Sequence, residues 1–428
     1  MKLLLKGARV IDPASKIDGL MDILVKDGKI AACDTTITPP EDATILNLTG
    51  LVVTPGLIDM HVHLREPGLE YKETIASGCE AAVAGGFTSI ACMPNTSPVN
   101  DNRSITEFIR RKAAETNLAH VYPIGAISIH SEGKQLTEFW DLKEAGVMAL
   151  SDDGNPVMDA ALMRRAMEYA YSLDLPVIQH CEDKNLSAGG LMNESFQATI
   201  LGLQGIPNIS EDIMVGRDIL IAEYTRTRVH IAHVSTAGAV RLIRDAKARG
   251  VKVTAETAPH YFTLTDESLK NYDTHYKVSP PLRSASDVAA IKEGLADGSI
   301  DAIACDHAPH GRTDKEVEFE YAANGISGLE TSLGLSLSLV QAGVLTWTGL
   351  IAAMSTRPAQ ILNLPKGTLA LGADADITVI DPELPWTIDV KKFRSRGKNS
   401  PFSGRPAKGR AVLTIVDGII KYDGRPQT

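Results

Sequence analysis

The sequence is poor in cysteine, in aromatic side chains and in long apolar runs. Its five cysteines are widely separated and never form a C-x-x-C pair, which argues against a disulfide framework and predicts reduced, buried thiols. The N-terminal MKLLLKGARVID has only three consecutive leucines, too few for a signal-peptide core or a membrane span. We therefore expect a cytoplasmic protein that does not enter a membrane.

Basic charge is also scarce relative to acidic charge. The chain has 43 Lys and Arg against 53 Asp and Glu, a formal net charge of −10. Nucleic-acid binding needs a concentrated basic face, and the sequence contains no such stripe. The densest basic run, KKFRSRGK at residues 391–398, is interpreted as a solvated loop. We expect a small-molecule substrate and no nucleic-acid partner.

Both ends of the chain contain short β-like runs with hairpin turns. An Asp-Gly pair at residues 27–28 interrupts one run near the N-terminus, and a second pair at residues 417–418 interrupts another near the C-terminus. Residues 1–54 and 365–428 therefore predict the two parts of one small β-sandwich domain. The length of 428 residues leaves room for a large domain between them.

Residues 55–364 alternate apolar β runs with helical segments, the pattern of βα units around a parallel sheet. A doubly wound open sheet would also alternate in this way. Polar residues at the C-terminal end of nearly every run favour a closed (β/α)₈ barrel of the TIM type, in the α/β class. Eight runs are present, at residues 56–63, 87–95, 119–126, 147–153, 176–182, 229–235, 251–260 and 300–310.

The strongest local signal is the pair His61 and His63, which the two-residue period of a strand places on one face. Such a pair alone could be hydrogen-bonded core. Four further runs, however, each have a histidine or an aspartate at or near their C-terminal end, and the carboxyl ends of barrel strands converge on one mouth. Four nitrogens and two carboxylates suit zinc or a similar divalent ion. The four further residues are Asp153, His180, His233 and Asp306.

DMHVHLREPG at residues 59–68 and CDHAPHGRTDK at residues 305–315 resemble the amidohydrolase superfamily, and within it the long, bacterial-type dihydroorotases. The resemblance covers essentially the whole chain. It implies two divalent metal ions, with zinc favoured by the histidine-rich ligands. By the same resemblance His61 and His63 bind the more buried metal, His180 and His233 the more exposed one, Asp153 bridges both, and Asp306 is both a ligand and the catalytic base.

The activity implied is the reversible cyclisation of N-carbamoyl-L-aspartate to L-dihydroorotate in de novo pyrimidine (UMP) biosynthesis. A metal-bridged hydroxide would attack the ring amide, since two divalent ions lower the pKa of bound water from 15.7 toward about 7. Asp306 would take its proton and return it to the leaving nitrogen.

Two rival interpretations remain open. Allantoinases and hydantoinases commonly bridge their metals with a carbamylated lysine after the fourth strand, where this chain has Ser151 to Gly154 and where the nearest lysine, Lys143, precedes the strand. The other rival is a silent homologue that serves as a structural partner of aspartate transcarbamoylase. Such a homologue typically loses metal ligands, whereas all six are present here.

The substrate side of the site is predicted mainly by the resemblance. Arg65 follows His63 by two residues, so we expect its guanidinium on the same strand face, reaching into the cleft toward a carboxylate. The resemblance adds Asn95 and His310 as contacts to that carboxylate. Asn95 could instead satisfy a loop backbone, and His310 could instead support the metal ligands.

Two positions depart from the family pattern. Asparagine is common where this chain has Ser279, and phenylalanine where it has Asn324. Ser279, Asn324 and Gly325 remain predicted substrate contacts, although Ser279 has a shorter reach and Asn324 is expected to contribute its backbone. The two departures therefore bear on substrate affinity and range and leave the predicted metal ligands unchanged.

The sequence also allows predictions for residues near the site and for the oligomeric state. Cys305 is expected to pack beneath the site, and Glu256 and His260 to support it. Residues 311–325 are either a mobile flap that excludes water or an ordinary surface loop. A homodimer is expected from family habit.

Overall fold

The computed structural model describes residues 2–425. Within them lie eighteen strands, β1 (Lys2–Asp12), β2 (Ile17–Lys26), β3 (Lys29–Asp34), β4 (Ala43–Asn47), β5 (Val52–Pro55), β6 (Leu57–Val62), β7 (Phe87–Cys92), β8 (His120–Gly125), β9 (Ala149–Leu150), β10 (Val177–Gln179), β11 (Met192–Asn193), β12 (Gly205–Ile206), β13 (Val229–Ile231), β14 (Val253–Thr257), β15 (Ala302–Ile303), β16 (Ile377–Thr387), β17 (Pro406–Val416) and β18 (Ile419–Asp423).

The same residues contain thirteen α-helices, α1 (Ile75–Gly85), α2 (Arg103–Thr116), α3 (Phe139–Ala145), α4 (Ala160–Ser172), α5 (Phe196–Leu201), α6 (Ile209–Thr225), α7 (Ala237–Ala248), α8 (Pro259–Thr263), α9 (Ala285–Asp297), α10 (Arg312–Lys315), α11 (Ser332–Gln341), α12 (Trp347–Ile351) and α13 (Arg357–Ile361).

Eight parallel strands form the central sheet, and each of the eight predicted runs contains one of them. Their hydrogen-bonded order follows the chain from β6 through β7, β8, β9, β10, β13 and β14 to β15. A doubly wound sheet reverses its order at a switch point, so the sequential order argues against that alternative. At the two ends of the series, Val62 forms a parallel bridge with His307, and the His63 N–H donates to the His307 carbonyl at 2.9 Å.

The helices pack against this sheet because their apolar faces match its buried strands. In α1 the Thr74 hydroxyl caps the first turn, and Gly86, with a φ of 94°, ends the helix in the left-handed region that glycine adopts without strain. Helix α1 is thus one of the helical segments that the sequence pattern predicts between the β runs. Burying the apolar core between helices and strands contributes about 25 cal/mol for each Å² of apolar surface removed from water.

The two ends of the chain meet in a second sheet. Its hydrogen-bonded path runs β18, β17, β16, β5, β1, β2 and β3, with β4 paired to β1. Both predicted Asp-Gly turns are present, with φ of 50° and 79° at Asp27 and Gly28 and of 50° and 75° at Asp417 and Gly418. These positive values are those of a type I′ hairpin turn. The strands form one continuous eight-stranded sheet with its own apolar core, and its description as a sandwich stays a prediction.

A segment between β16 and β17, residues 393–402, leaves this sheet and packs against the loops of the central one; we call it the C-terminal strap. Phe393 and Phe402 join Val278 and Ile326 in an apolar cluster. Alternate residues of the strap are buried, and the basic side chains between them are exposed. The predicted solvated loop at residues 391–398 is therefore wrong for Phe393, Ser395 and Gly397, which are buried, and holds for the charged residues, which face water.

The structure can be compared with two predictions from the sequence, reduced cysteines and no membrane span. All five cysteines are free, as the sequence predicted; four of them are buried, whereas Cys33 on β3 is partly exposed, contrary to the prediction. Between residues 2 and 425, the helices are all too short or too polar to cross a membrane.

Candidate metal centre and substrate cavity

The carboxyl ends of the central strands open into one cavity of about 230 Å³. His61 is completely buried next to it and contacts two of its lining carboxylates. The structure thus brings together every site residue predicted from the sequence. The predicted residues that line the cavity are His63, Arg65, Asn95, Asp153, His180, His233, Ser279, Asp306, His310, Asn324 and Gly325.

A first group of donor atoms lies where β6 meets the segment after β15. His61 Nε2 is 3.4 Å from Asp153 Oδ1 and 3.6 Å from Asp306 Oδ1. His63 Nε2 is 3.1 Å from Asp306 Oδ1 and 3.6 Å from Asp153 Oδ2. Two imidazole nitrogens and two carboxylates therefore face one point.

A second group follows β10 and β13. His180 Nδ1 lies 2.8 Å from His233 Nε2, and the two nitrogens are 3.7 and 3.5 Å from Asp153 Oδ1. Asp153 is thus shared by both groups. Lys143 lies on α3 and donates from Nζ to the Leu173 carbonyl at 2.6 Å, so it does not take part in the centre.

The ring nitrogens of His61 and His63 that face away from the centre have partners. His61 Nδ1 is 2.6 Å from Glu256 Oε1, and His63 Nδ1 is 2.8 Å from Asn95 Oδ1. Both oxygens accept, so each Nδ1 carries a proton and each Nε2 faces the centre, where a bound cation would take its lone pair. The prediction that Glu256 supports the site agrees with this contact.

His180 is oriented in the opposite sense. Its Nε2 donates to Glu182 Oε2 at 3.0 Å, which leaves the Nδ1 lone pair toward the centre, and Lys184 Nζ contacts the same carboxylate oxygen at 2.5 Å. Glu182 and Lys184 were missed by the sequence analysis. The two-residue spacing of Glu182 from His180 was the available signal, although β10 ends at Gln179 and strand geometry does not extend to either residue.

This donor set fits divalent cations. His61 Nε2 and Asp153 Oδ1, which both face the centre, are buried atoms with no hydrogen-bond partner. Buried polar atoms are normally paired, so unpaired lone pairs converging on one point are the expected feature of a metal site. Imidazole nitrogens with carboxylate oxygens are the ligands that zinc and similar ions take in proteins.

At the centre, neighbouring charges shift the pKa values of His61 and Asp306 in the direction opposite to the effect of burial. Burial alone would lower the pKa of His61, but the carboxylates of Asp153 and Glu256 raise it well above its ordinary value. Burial alone would raise the pKa of Asp306, but its hydrogen bond to His63 and the nearby imidazoles lower it. Asp306 is therefore ionised at neutral pH and able to accept a proton.

The backbone at the site departs from strand geometry. Arg65, His233 and Asp306 have φ values of 62°, 34° and 46°, in the left-handed region that non-glycine residues rarely adopt. The argument that Arg65 continues the strand face of His63 is therefore wrong, since β6 ends at Val62. The guanidinium still lines the cavity, because the turn after the strand directs it there.

The end of the cavity formed by Arg65 and His310 is cationic. Arg65 donates from Nε to the Pro309 carbonyl at 3.2 Å, and its guanidinium lies 3.5 Å from His310 Nε2. His310 Nε2 is 2.8 Å from the Asn324 carbonyl, while Lys72 Nζ donates to His310 Nδ1 at 3.3 Å. Burial and the neighbouring cations lower the pKa of His310 to about 2, so the ring is neutral. Sequence analysis missed Lys72.

Two buried lysines connect residues 311–325 to neighbouring backbone, and the choice between a mobile flap and a surface loop stays a prediction. Lys315 is 2% exposed, and its Nζ donates to the carbonyls of Ala323 at 2.7 Å and Gly325 at 3.3 Å. Lys277 Nζ donates to the Phe319 carbonyl at 2.7 Å. Gly325 itself needs to be glycine, because a Cβ there would lie 2.6 Å from the Cβ of Ala308.

Two further predictions concern residues beneath the cavity. Cys305 is buried, as expected, and its N–H donates to Asp59 Oδ2 at 3.0 Å. His260 is buried, does not line the cavity, and has a ring nitrogen, Nε2, without a hydrogen-bond partner. Its ring centroid lies 4.2 Å from that of Tyr261.

Solved structures share this architecture from end to end. The L-hydantoinase (dihydropyrimidinase) of Arthrobacter aurescens matches with a TM-score of 0.89 and 27% identity, over 100% of this chain and 97% of that one. The dihydropyrimidinase of Brevibacillus agri NCHU1002 matches with a TM-score of 0.87 and 24% identity, over 99% and 95%. The second match establishes the fold alone. A family model described as "Amidohydrolase family" matches residues 215–422.

Fold and site together define a metal-dependent cyclic amidohydrolase. A model described as "Dihydro-orotase-like" matches residues 50–239. Over 99% of both chains, the sequence is 63% identical to the dihydroorotase of Syntrophus aciditrophicus (strain SB) and 57% identical to that of Geotalea daltonii. The chain belongs to the dihydroorotase family.

Proposed function

We propose that this protein is a dihydroorotase, which interconverts N-carbamoyl-L-aspartate and L-dihydroorotate in de novo pyrimidine biosynthesis. The observation that carries the proposal is one cavity with a set of metal-type donors at one end and Arg65 beside His310 at the other. Dihydroorotate is a cyclic amide with a carboxylate on the same ring. It therefore presents one group suited to each end.

We propose that the donor set holds two divalent ions, with Zn²⁺ the best match to its histidines. His61 and His63 would bind one ion and His180 and His233 the other. Asp153 would bind both, and Asp306 would complete the first group. Such ions, when bound, lower the pKa of water toward about 7 and polarise the carbonyl under attack.

Asp306 is the proposed proton carrier. Its carboxylate is ionised, lies at the cavity wall and is 3.1 Å from His63 Nε2. During ring opening it takes the proton of the attacking water and transfers it to the leaving ring nitrogen; ring closure reverses both transfers. One residue then acts as base and as acid in each direction.

The carboxylate end provides recognition. Arg65 offers a planar pair of donors to the substrate carboxylate. His310 is neutral and binds as a hydrogen-bond donor through Nε2, now directed at the Asn324 carbonyl. Asn95 uses Oδ1 to orient His63, so its amide nitrogen is the atom assigned to substrate. Ser279 and the backbone of Gly325 complete the proposed contacts.

The central sheet is proposed to be a closed (β/α)₈ barrel, supported by the sequential strand order and by the bridge between Val62 and His307. Domain boundaries at residues 1–54, 55–364 and 365–428 accompany this proposal, with the first and last segments forming a small β-sandwich. The strap at residues 393–402 belongs to the last segment by sequence and packs on the barrel loops.

A cytoplasmic location, a homodimer and an association with aspartate transcarbamoylase stay predictions. Sedimentation of the purified protein, alone and mixed with the transcarbamoylase, tests the two assemblies. If this protein sediments at the mass of one chain in both samples, the two predictions are contradicted.

Assay of the purified protein with dihydroorotate, hydantoin and allantoin tests the proposed activity. We expect turnover of dihydroorotate in both directions and at least tenfold lower kcat/KM with the two uncharged rings. A preference for hydantoin or allantoin would instead identify another cyclic-amide hydrolase. Metal-loaded protein that leaves all three unchanged would support the silent homologue.

A further inference from the structure

The C-terminal strap places one buried amide directly behind the carboxylate end of the cavity. Asn399 is 3% exposed. Its Oδ1 accepts from the His310 N–H at 2.8 Å and from the Ser327 hydroxyl at 2.9 Å. Its Nδ2 donates to the carbonyls of Ala308 and Gly325, each at 3.0 Å. The amide thus joins two separate loops that line the cavity.

All of the hydrogen-bonding capacity of this amide is used. Two acceptor positions on Oδ1 and two donor hydrogens on Nδ2 match the four contacts one for one. The arrangement also fixes the orientation of the amide, since the opposite orientation would turn Nδ2 toward two donors and Oδ1 toward two carbonyl oxygens. Such a fully paired buried group specifies one arrangement of the chain around it.

The strap holds the same loop at a second point. Ser395 Oγ donates to Glu73 Oε2, and the same carboxylate oxygen is 3.2 Å from His307 Nε2. The Arg396 N–H donates to Glu73 Oε1 at 3.1 Å. This second attachment reaches His307 and not the residues that face the substrate. The strap is therefore attached at two points, by Asn399 at the cavity wall and by Ser395 behind it, and the second can serve as a control for the first.

We propose that Asn399 is a positioning residue for recognition of the substrate carboxylate. This inference rests on the proposed function. Asn399 fixes the backbone of His310 and of Gly325, which lie on two loops of the cavity wall. A displacement of about 1 Å at such residues is enough to change binding or turnover a hundredfold. The strap carries the amide to the cavity from 89 residues beyond His310.

An isosteric substitution separates positioning from packing. Asn399→Asp keeps the volume and both acceptor contacts but places an oxygen against the two carbonyls, so a role in packing alone would survive it. Asn399→Ala removes the whole amide. Ser395→Ala is the matched control, because it loosens the strap at Glu73 without touching Ala308, His310 or Gly325. Arg394→Ala, at an exposed residue of the strap, is the surface control.

For each variant we would measure steady-state kinetics with dihydroorotate, metal content per chain and the midpoint of thermal unfolding. We expect KM to rise on the order of tenfold in both Asn399 variants, which corresponds to about 1.4 kcal/mol, with kcat and metal content near those of the parent. Ser395→Ala should lower the thermal midpoint and keep the parent KM. A parent KM in Asn399→Asp, or an equal rise of KM in Ser395→Ala, would overturn the proposal.

Ser327→Ala guards against Asn399 variants that do not fold. It removes one hydrogen bond that orients the amide, and a KM increase of about two- to threefold is expected in folded protein; an unchanged KM would overturn the proposal. The activity of the parent enzyme distinguishes a failure of the proposed function from a failure of the proposed role of Asn399. If it does not act on dihydroorotate, the proposed function fails; if it does and the Asn399 variants match it, only the role of Asn399 fails.

Discussion

The two ends of the cavity are built from different kinds of structure. At the metal end, the donors follow strand ends of the central sheet, and Glu256 and Asn95 orient His61 and His63 through hydrogen bonds of 2.6 and 2.8 Å. At the carboxylate end, the loops that carry His310 and Gly325 are held together by contacts from segments far away in the chain, the strap among them. Proximity in the sheet organises one end, and long-range loop contacts organise the other.

This difference separates two kinds of error that a substitution can cause. A change at the metal end alters charge and ligand orientation, and so acts on metal affinity and on the chemical step. A change at the carboxylate end alters where the substrate lies, and so acts chiefly on KM and on the choice among substrates.

The largest effect is expected from Asp306→Asn, which removes the proton carrier and keeps the size of the side chain. We expect kcat to fall by about 10³-fold, in the range typical of a lost general base. The thermal midpoint, measured on the same protein, should stay close to that of the parent. A variant with near-parental kcat would remove Asp306 from the chemistry.

At the carboxylate end, Arg65→Met should raise KM for dihydroorotate about a hundredfold, because a charge-assisted pair contributes roughly 1.5–3 kcal/mol. Turnover of hydantoin, which has no carboxylate, should change little. The ratio of the two kcat/KM values is the measurement. An equal loss of kcat/KM with both substrates would mean that Arg65 supports the fold of the site and does not recognise the carboxylate. It would also contradict the separate roles of the two ends.

Glu256→Gln tests how the metal end is oriented. Loss of the carboxylate that faces His61 should weaken metal binding about 10- to 100-fold, the range found when such a partner of a ligand is changed. Metal retained after dialysis against a graded chelator is the measurement, and Glu107→Gln, exposed on α2, is the control. Identical retention in the two variants would contradict the assigned role.

The smallest effect concerns Lys315, which holds the loop at the carboxylate end. Burial, reinforced by the charge of Lys277, lowers the pKa of Lys315 from about 10.5 to about 7. Between these values the unfolded chain binds a proton that the folded chain has released, so this residue makes the folded state more stable as pH rises through the window. Lys315→Met should therefore show a smaller rise of the thermal midpoint between pH 7 and pH 9 than the parent. Parallel pH curves would contradict the assignment.

The metal end could be predicted from sequence because its signals are local. Each ligand lies at or near the end of an apolar run, and the strand ends of a barrel converge on one mouth. The sequence therefore predicted that His61, Asp153 and Asp306 lie close together, and they do. The eight strands and both Asp-Gly hairpins were predicted for the same reason, since period and turn chemistry depend on neighbours in the chain.

The carboxylate end was harder because its determinants are not local. Arg65 was assigned to the cavity from an extended strand, yet a left-handed turn directs it there. Asn399 lies beside a basic run that resembles a solvated loop, and only the packing of Phe393 and Phe402 brings it behind His310. Lys72 contacts His310 across 238 residues, a distance that periodicity cannot bridge.

Anomalous diffraction from crystals of the protein, purified without chelator and supplied with zinc, tests the central claim most directly. The account predicts zinc peaks within coordination distance of His61 and His63 and of His180 and His233, with Asp153 between them. Peaks confined to other parts of the molecule, with these side chains bound to no ion, would contradict it.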